Sequence, residues 1–229
     1  MNGLRLAIGL GVVAVMTGCA TAGTFQTAST VGEDNFQFGA EPSIVGVSSG
    51  GESGFIPMVS ISGRYGLSDT TEIGGRLGPG GIDLLTKFQF TDPDSDGTIV
   101  SLAPSIGGLV VGGSGGSGGV VNVVVPLLVG FQVGDKNEFV LGPKVVDSIA
   151  FGSSGGSSAT LNVVSVGTTV GYSAQVGKKL KLLPEFGLLY PVVGSASASS
   201  GSESASESSS IGGGVTWQAG VGFLIGQTR

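Results

Sequence analysis

Histidine is absent from this 229-residue chain, and cysteine occurs once, at Cys19. Serine hydrolases normally need an imidazole to take the nucleophile's proton, and most zinc sites are built on histidine and cysteine, so both chemistries lose their usual residues. A lone cysteine makes no internal disulfide. Charge is scarce as well: 11% of residues are charged, where a soluble domain carries about 25%. Ten Lys and Arg against sixteen Asp and Glu leave a net charge of -6, which offers nucleic acid no electrostatic footprint. Long apolar runs are also missing. The longest, Leu6 to Met16, is too short to span a bilayer as a helix, which needs about 20 residues. Yet mean hydropathy is positive, at +0.42. Hydrocarbon leaves no backbone N–H or C=O unpaired, so only helices and closed barrels cross a bilayer, and the missing helix leaves the barrel.

The start of the chain reads as an export signal over residues 1–18: Arg5 supplies a basic region, Leu6 to Met16 an apolar core, and Thr17-Gly18 a small-residue end. It closes on Met16-Thr17-Gly18-Cys19, which resembles the lipobox of bacterial lipoproteins. The resemblance implies that Cys19 is diacylated, becomes the first residue after cleavage, and carries a covalent lipid. Met16 stands where that family usually has leucine, and Ala20 stands where its inner-membrane retention signal would place aspartate. Losing Arg5 leaves nine basic residues against sixteen acidic ones, or -7. Residues 19–34 are small and polar without a sustained period, and read as a lipidated tether to a folded domain over 35–229.

From Asn35 onward apolar residues recur at every second position, the strand period. Ten such segments are expected, at 35–46, 55–66, 71–78, 81–90, 98–111, 120–133, 138–151, 159–176, 180–193 and 211–225. Tight turns follow the second, fourth, sixth and eighth. Flexible Gly/Ser stretches are expected after the first, fifth, seventh and ninth, the longest being Ser195 to Ser210, whose composition argues for disorder. Only Gly78-Pro79-Gly80 breaks this parity. Even strand number, with short turns at one end and longer loops at the other, is the plan of bacterial outer-membrane barrels. Over Asn35 to Ile225 the chain resembles the small members of that class, although Gly226-Gln227-Thr228-Arg229 follow where such proteins commonly end on an aromatic. The fold class expected is therefore all-β, an antiparallel up-and-down transmembrane barrel of about ten strands. The resemblance implies membrane lipid and the outer-membrane assembly machinery as partners, and places both chain ends, with the lipid on Cys19, at the periplasmic side.

Fixing the phase of each strand places fourteen aromatics outward, nine of them (Phe36, Phe38, Tyr65, Phe88, Phe90, Phe131, Phe139, Tyr172 and Phe223) toward the tight-turn ends, as in an interfacial girdle. Charges take the opposite phase. Five acids (Glu41, Glu72, Asp83, Glu138, Glu185) and five bases (Arg64, Arg76, Lys87, Lys144, Lys181) face inward as a neutral ionic network. Asp147 alone falls on the outward phase. The other inward positions read as small or polar, most clearly Gly212, Gly214, Thr216, Gln218, Gly220 and Gly222.

Asp92-Pro93-Asp94-Ser95-Asp96-Gly97 resembles the start of a calcium loop, in which carboxylates at alternate positions converge on one ion. Ala103 occupies the position of the closing glutamate, so Asp92, Asp94 and Asp96 form at most a weak Ca2+ candidate; the competing reading is an acidic hairpin turn. No other cofactor is expected. The glycine runs Gly112 to Gly119 and Gly155-Gly156 lack the Lys-Ser/Thr end of a phosphate-binding loop. The function expected is that of a structural or surface-interaction barrel, not an enzyme, with a lumen closed by salt bridges and an unidentified surface ligand. Two alternatives stand beside it: a narrow channel or binder of small apolar molecules, and a lipid-tethered periplasmic β-sandwich.

Overall fold

The computed structural model describes residues 22–49, 52–92, 97–134, 136–200, 203–209 and 214–226. Its strands are β1 (Phe36–Ser49), β2 (Glu52–Ser68), β3 (Thr71–Gly78), β4 (Gly81–Gln89), β5 (Thr98–Leu102), β6 (Ser105–Gly113), β7 (Gly116–Val133), β8 (Asn137–Ser154), β9 (Ser157–Gln175), β10 (Leu180–Ser200), β11 (Glu203–Ser209) and β12 (Gly214–Gly226). Every ladder is antiparallel, and the sheet closes on itself because β12 pairs with both β10 and β1. Closure excludes the two-sheet sandwich and removes the free edges that an open sheet would leave.

The wall has ten staves, as the periodicity requires. β5 and β6 form a single stave in one unbroken register, with Leu102 opposite Phe88 and Leu127, and Ser105 opposite Leu85 and Val124. The break falls at Ala103-Pro104 because proline has no N–H for the ladder. The flanking groups still bond across it: Ala103 N–H donates to the Pro126 carbonyl and Thr86 N–H to the Pro104 carbonyl, both at 3.0 Å. β11 is not a stave, since it pairs only with the far end of β10, Gly194 to Ser200.

Inside and outside alternate as the sequence predicts. Along β8, Glu138, Val140, Lys144, Val146, Ser148 and Ala150 are buried, while Phe139, Leu141 and Val145 are exposed. None of the fourteen strand aromatics is buried: twelve are exposed, and Phe151 and Trp217 are half-covered. Trp217 lies over the Cα of Gly46 opposite it, so the missing side chain on β1 is the indole's seat. The girdle residues sit beside one another across ladders, Phe36 opposite Tyr65 and Phe139 opposite both Phe131 and Tyr172.

The loop end departs from expectation. Strands there run on instead of dissolving into flexible loops, since glycine and serine still pair through the backbone. Gly155 and Gly156, at φ 58° and 81°, make the two-residue connection from Ser154 to Ser157; its positive φ values match the twist of the strands it joins. The stretch expected to be disordered, 195–210, instead continues β10 to Ser200 and folds back as β11. The barrel is therefore lopsided. β3 and β4 are 8 and 9 residues long, whereas β7 to β10 run from 18 to 21.

Candidate functional site

The interior is occupied by the chain itself. Residues expected to tether the domain from outside lie within the barrel: Ala22, Phe25, Ala28 and Val31 are buried, with Thr24, Gln26, Thr27 and Thr30 between them. The segment enters at the tight-turn end. There Asp34 N–H donates to the Gly66 carbonyl at 3.0 Å, and the Tyr65 hydroxyl donates to Asp34 Oδ1 at 2.6 Å. It then climbs so that Val31 lies at Glu72, Ala28 at Glu138, Thr24 at Glu185 and Ala22 at Lys144.

A peptide inside a barrel needs partners for its main-chain groups, because each unpaired buried N–H or C=O costs about as much as a lost hydrogen bond. The inward charges meet that need by sign. Glu185 accepts from the N–H groups of Thr24 (2.5 Å) and Phe25 (2.9 Å), Glu138 from Ala28 (2.6 Å), and Glu72 from Val31 (2.9 Å). Lys144 donates to the carbonyl of Ala22 (2.5 Å), Arg76 to Thr24 (2.7 Å), Arg64 to Phe25 (2.9 Å) and Lys87 to Ser29 (3.2 Å). Gln218 and Gln89 accept from the N–H groups of Gly23 (2.5 Å) and Thr30 (3.0 Å), and Ser101 donates to the Ala28 carbonyl at 2.6 Å. A neutral complement of acids and bases is what a dipolar but uncharged strand requires.

Shape follows the same path. Phe25, the one aromatic outside the strand pattern, is 2% exposed and lies on glycine: a Cβ built at Gly220 would stand 2.8 Å from its Cζ. Its backbone takes φ 48°, a region that L-residues rarely occupy and that surrounding contacts must hold. At Gly187 the Ala22 carbonyl approaches so closely that any side chain would collide with it. Ala28 packs with Ile99, Ala103, Leu128 and Val140, and Ala22 with Val124, Val146 and Leu189. These apolar seats correct the expectation of a mostly small and polar inner face.

All ten predicted inward charges point inward, eight of them buried, with Arg76 and Asp83 half-buried. They do not simply neutralise one another. Ion pairs join Glu41 to Arg64 (3.7 Å) and Arg76 (3.3 Å), and Glu72 to Lys87 (2.8 Å), and Glu138, Lys144 and Glu185 bond to the segment. Asp83 stands opposite Arg76 in the ladder and lines a cavity of about 20 Å³ beside Thr24 and Gln26. Lys181 is buried near the start of β10. Asp147 stays on the outward phase, with no register shift in β8 to turn it inward. Cys19, Asp94 and Asp96 lie outside the described residues. Asp92 is described, and Ala103, at the closing position, is buried in the interior. The sequence analysis missed Gln89, Ser101 and Phe25 as site residues; the available signal was that Phe25 alone among the aromatics lacked a strand.

No protein-family model and no curated protein matches this chain. Among solved structures it is similar to the outer membrane protease OmpT from Escherichia coli, at 11% identity over 87% of this chain and 100% of that one, with a TM-score of 0.50. The translocator domain of the autotransporter NalP from Neisseria meningitidis gives 14% identity, coverage of 97% and 95%, and a TM-score of 0.45. Neisserial surface protein A gives 13%, 83% and 96%, and 0.40. The likeness to OmpT is one of fold: the chain has the architecture of bacterial outer-membrane β-barrels.

Proposed function

We propose that this protein is a bacterial outer-membrane barrel, lipid-anchored at Cys19, that carries its own plug and serves a structural or surface-directed role instead of passing solute. The observation that carries this reading is the burial of residues 22–31 inside the wall, with eleven of their main-chain groups bonded to inward side chains. A barrel of eight staves is filled by its own side chains and aqueous porins need sixteen or more; ten staves leave room for about one peptide segment. Salt bridges alone do not fill that space, so the lumenal ion pairs support the plug instead of replacing it. The chain's lack of histidine agrees with a non-enzymatic role. A narrow channel, or a binder of small apolar molecules, requires the segment to be elsewhere.

The lipid is constrained by the same geometry. Lys144, which holds the Ala22 carbonyl, is seven residues along β8 from Asn137, about 18 Å up a tilted stave. Three peptide units from Ala22 reach about 11 Å. While residues 22–31 stay in place, the remaining distance to the leaflet at the tight-turn end falls to the Cys19 side chain, its glyceryl linkage and the acyl chains themselves. Labelled palmitate should be incorporated by the wild type and lost in Cys19→Ser.

The plug is tested by conductance in planar bilayers. The full chain is expected to be silent, and a variant lacking residues 22–31 to give steady channels. Comparing boiled and unboiled samples on a denaturing gel verifies that each is a folded barrel. Steady channels from the full chain would overturn the proposal.

A further inference from the structure

We infer that the lumen is a binding site for a polypeptide segment, read through its main chain, which residues 22–31 fill in cis and a separate segment of the same kind can fill in trans. This deepens the plug reading and rests on it. The chemistry of the contacts is the argument. Of the bonds between wall and segment, eleven engage N–H or C=O groups common to every residue. Side-chain hydroxyls contribute only through Thr24 to Glu185, Ser29 to Glu138, and Thr30 to Gln89 and the Asp69 carbonyl. The wall groups that do this are built in: Arg64, Glu72, Lys87, Glu138, Lys144 and Glu185 are each at least nine-tenths buried.

Such a site selects backbone path and bulk, with one seat for an aromatic at Phe25. It takes an uncharged stretch of mostly small residues with one aromatic, because the apolar seats fit Ala22 and Ala28, Phe25 fills the space against Gly220, and the Ala22 carbonyl abuts Gly187. It offers no net charge to a free ion. The covalent connection from the segment to the first strand runs through Gly32 to Asn35, beside Gly66. The covalent link raises effective concentration but supplies none of the lumenal contacts. The ligand class that follows is a segment of another exported chain, neutral and mostly small-residue with one aromatic, entering from the tight-turn end.

The experiment uses the full chain with a specific protease site inserted between Glu33 and Asp34, which are exposed at the barrel rim. The folded protein is cut, unfolded to wash away the released segment, and refolded with or without a synthetic peptide of residues 22–34. Refolding is followed by heat-dependent gel mobility and occupancy by bilayer conductance. The emptied barrel is expected to conduct and the peptide to silence it; refolding only in the presence of peptide would support the site equally. A peptide with Thr24, Ser29 and Thr30 all changed to Ala should bind within about 10-fold of the parent. N-methylation at Phe25 and Ala28, which removes two N–H donors and leaves every side chain, should weaken binding at least about 100-fold. An emptied barrel that conducts but ignores the peptide overturns the inference while leaving the plug reading intact. So does failure to refold with the peptide when the uncut protein refolds, or indifference to N-methylation. A silent emptied barrel that takes up no peptide overturns both.

Discussion

Lys144 and Ser153 stand nine residues apart on β8 and meet opposite conditions. The lysine faces inward, is buried, and donates to the carbonyl of Ala22; the serine is exposed on the outer face and its hydroxyl lies 3.0 Å from that of Ser117 on the next strand. Around the plug, long charged side chains reach across the lumen to a strand that has no ladder of its own. Beyond it, the Gly/Ser hairpins hold together by ladder bonds between neighbours, with small side chains adding hydroxyl contacts such as Ser158 to Ser199 at 2.8 Å. The lower region spends its chemistry on an occupant. The upper region needs none, and the two should respond differently to damage.

The largest response is expected from Glu185→Ala, which strips the acceptor from two N–H groups and the Thr24 hydroxyl at once. About 3–5 kcal/mol of stability should go, from two buried N–H groups and a hydroxyl left without an acceptor, read by urea titration of Trp217 fluorescence in lipid; Glu185→Gln, which keeps an acceptor, should lose much less. Phe25→Ala should cost about 3 kcal/mol by emptying the space against Gly220. Gly187→Val attacks the plug and spares the wall: its side chain meets the Ala22 carbonyl, so channels should appear in bilayers while gel mobility still reports a folded barrel. At the far end of the scale, excising the hairpin tip from 195 to 209 should change stability by less than about 0.5 kcal/mol. An equal loss from the tip and from Glu185 would erase the contrast between the regions.

Period-two alternation carried the wall: it defined the ten staves, the outward aromatics and the inward charges, because one face of each strand meets hydrocarbon and the other does not. The break at Pro104 was legible in principle, since that residue cannot donate. The occupant was not legible in the same way. Residues 22–34 have no period because they pair with side chains instead of a neighbouring strand, and their polarity is that of any solvated linker. The five-to-five balance of lumen charges was visible, but it fits mutual pairing and the cradling of a neutral peptide equally well; only the positions of Ala22, Thr24 and Ala28 decide between them. The loop-end hairpins escaped for a different reason. Ser and Gly have low strand propensity and resemble a flexible linker in composition, yet strands already aligned by the wall carry them onward at little further entropic cost.

Protection of residue 28 tests the account most directly. In a Cys19→Ser background, Ala28→Cys places a single thiol where the native residue is 0% exposed, and Glu33→Cys provides an exposed control at the rim. A small hydrophilic maleimide should label position 33 promptly, and position 28 only after the barrel is unfolded. Equal labelling of the two positions in the folded barrel would mean that the N-terminal segment is not inside the wall.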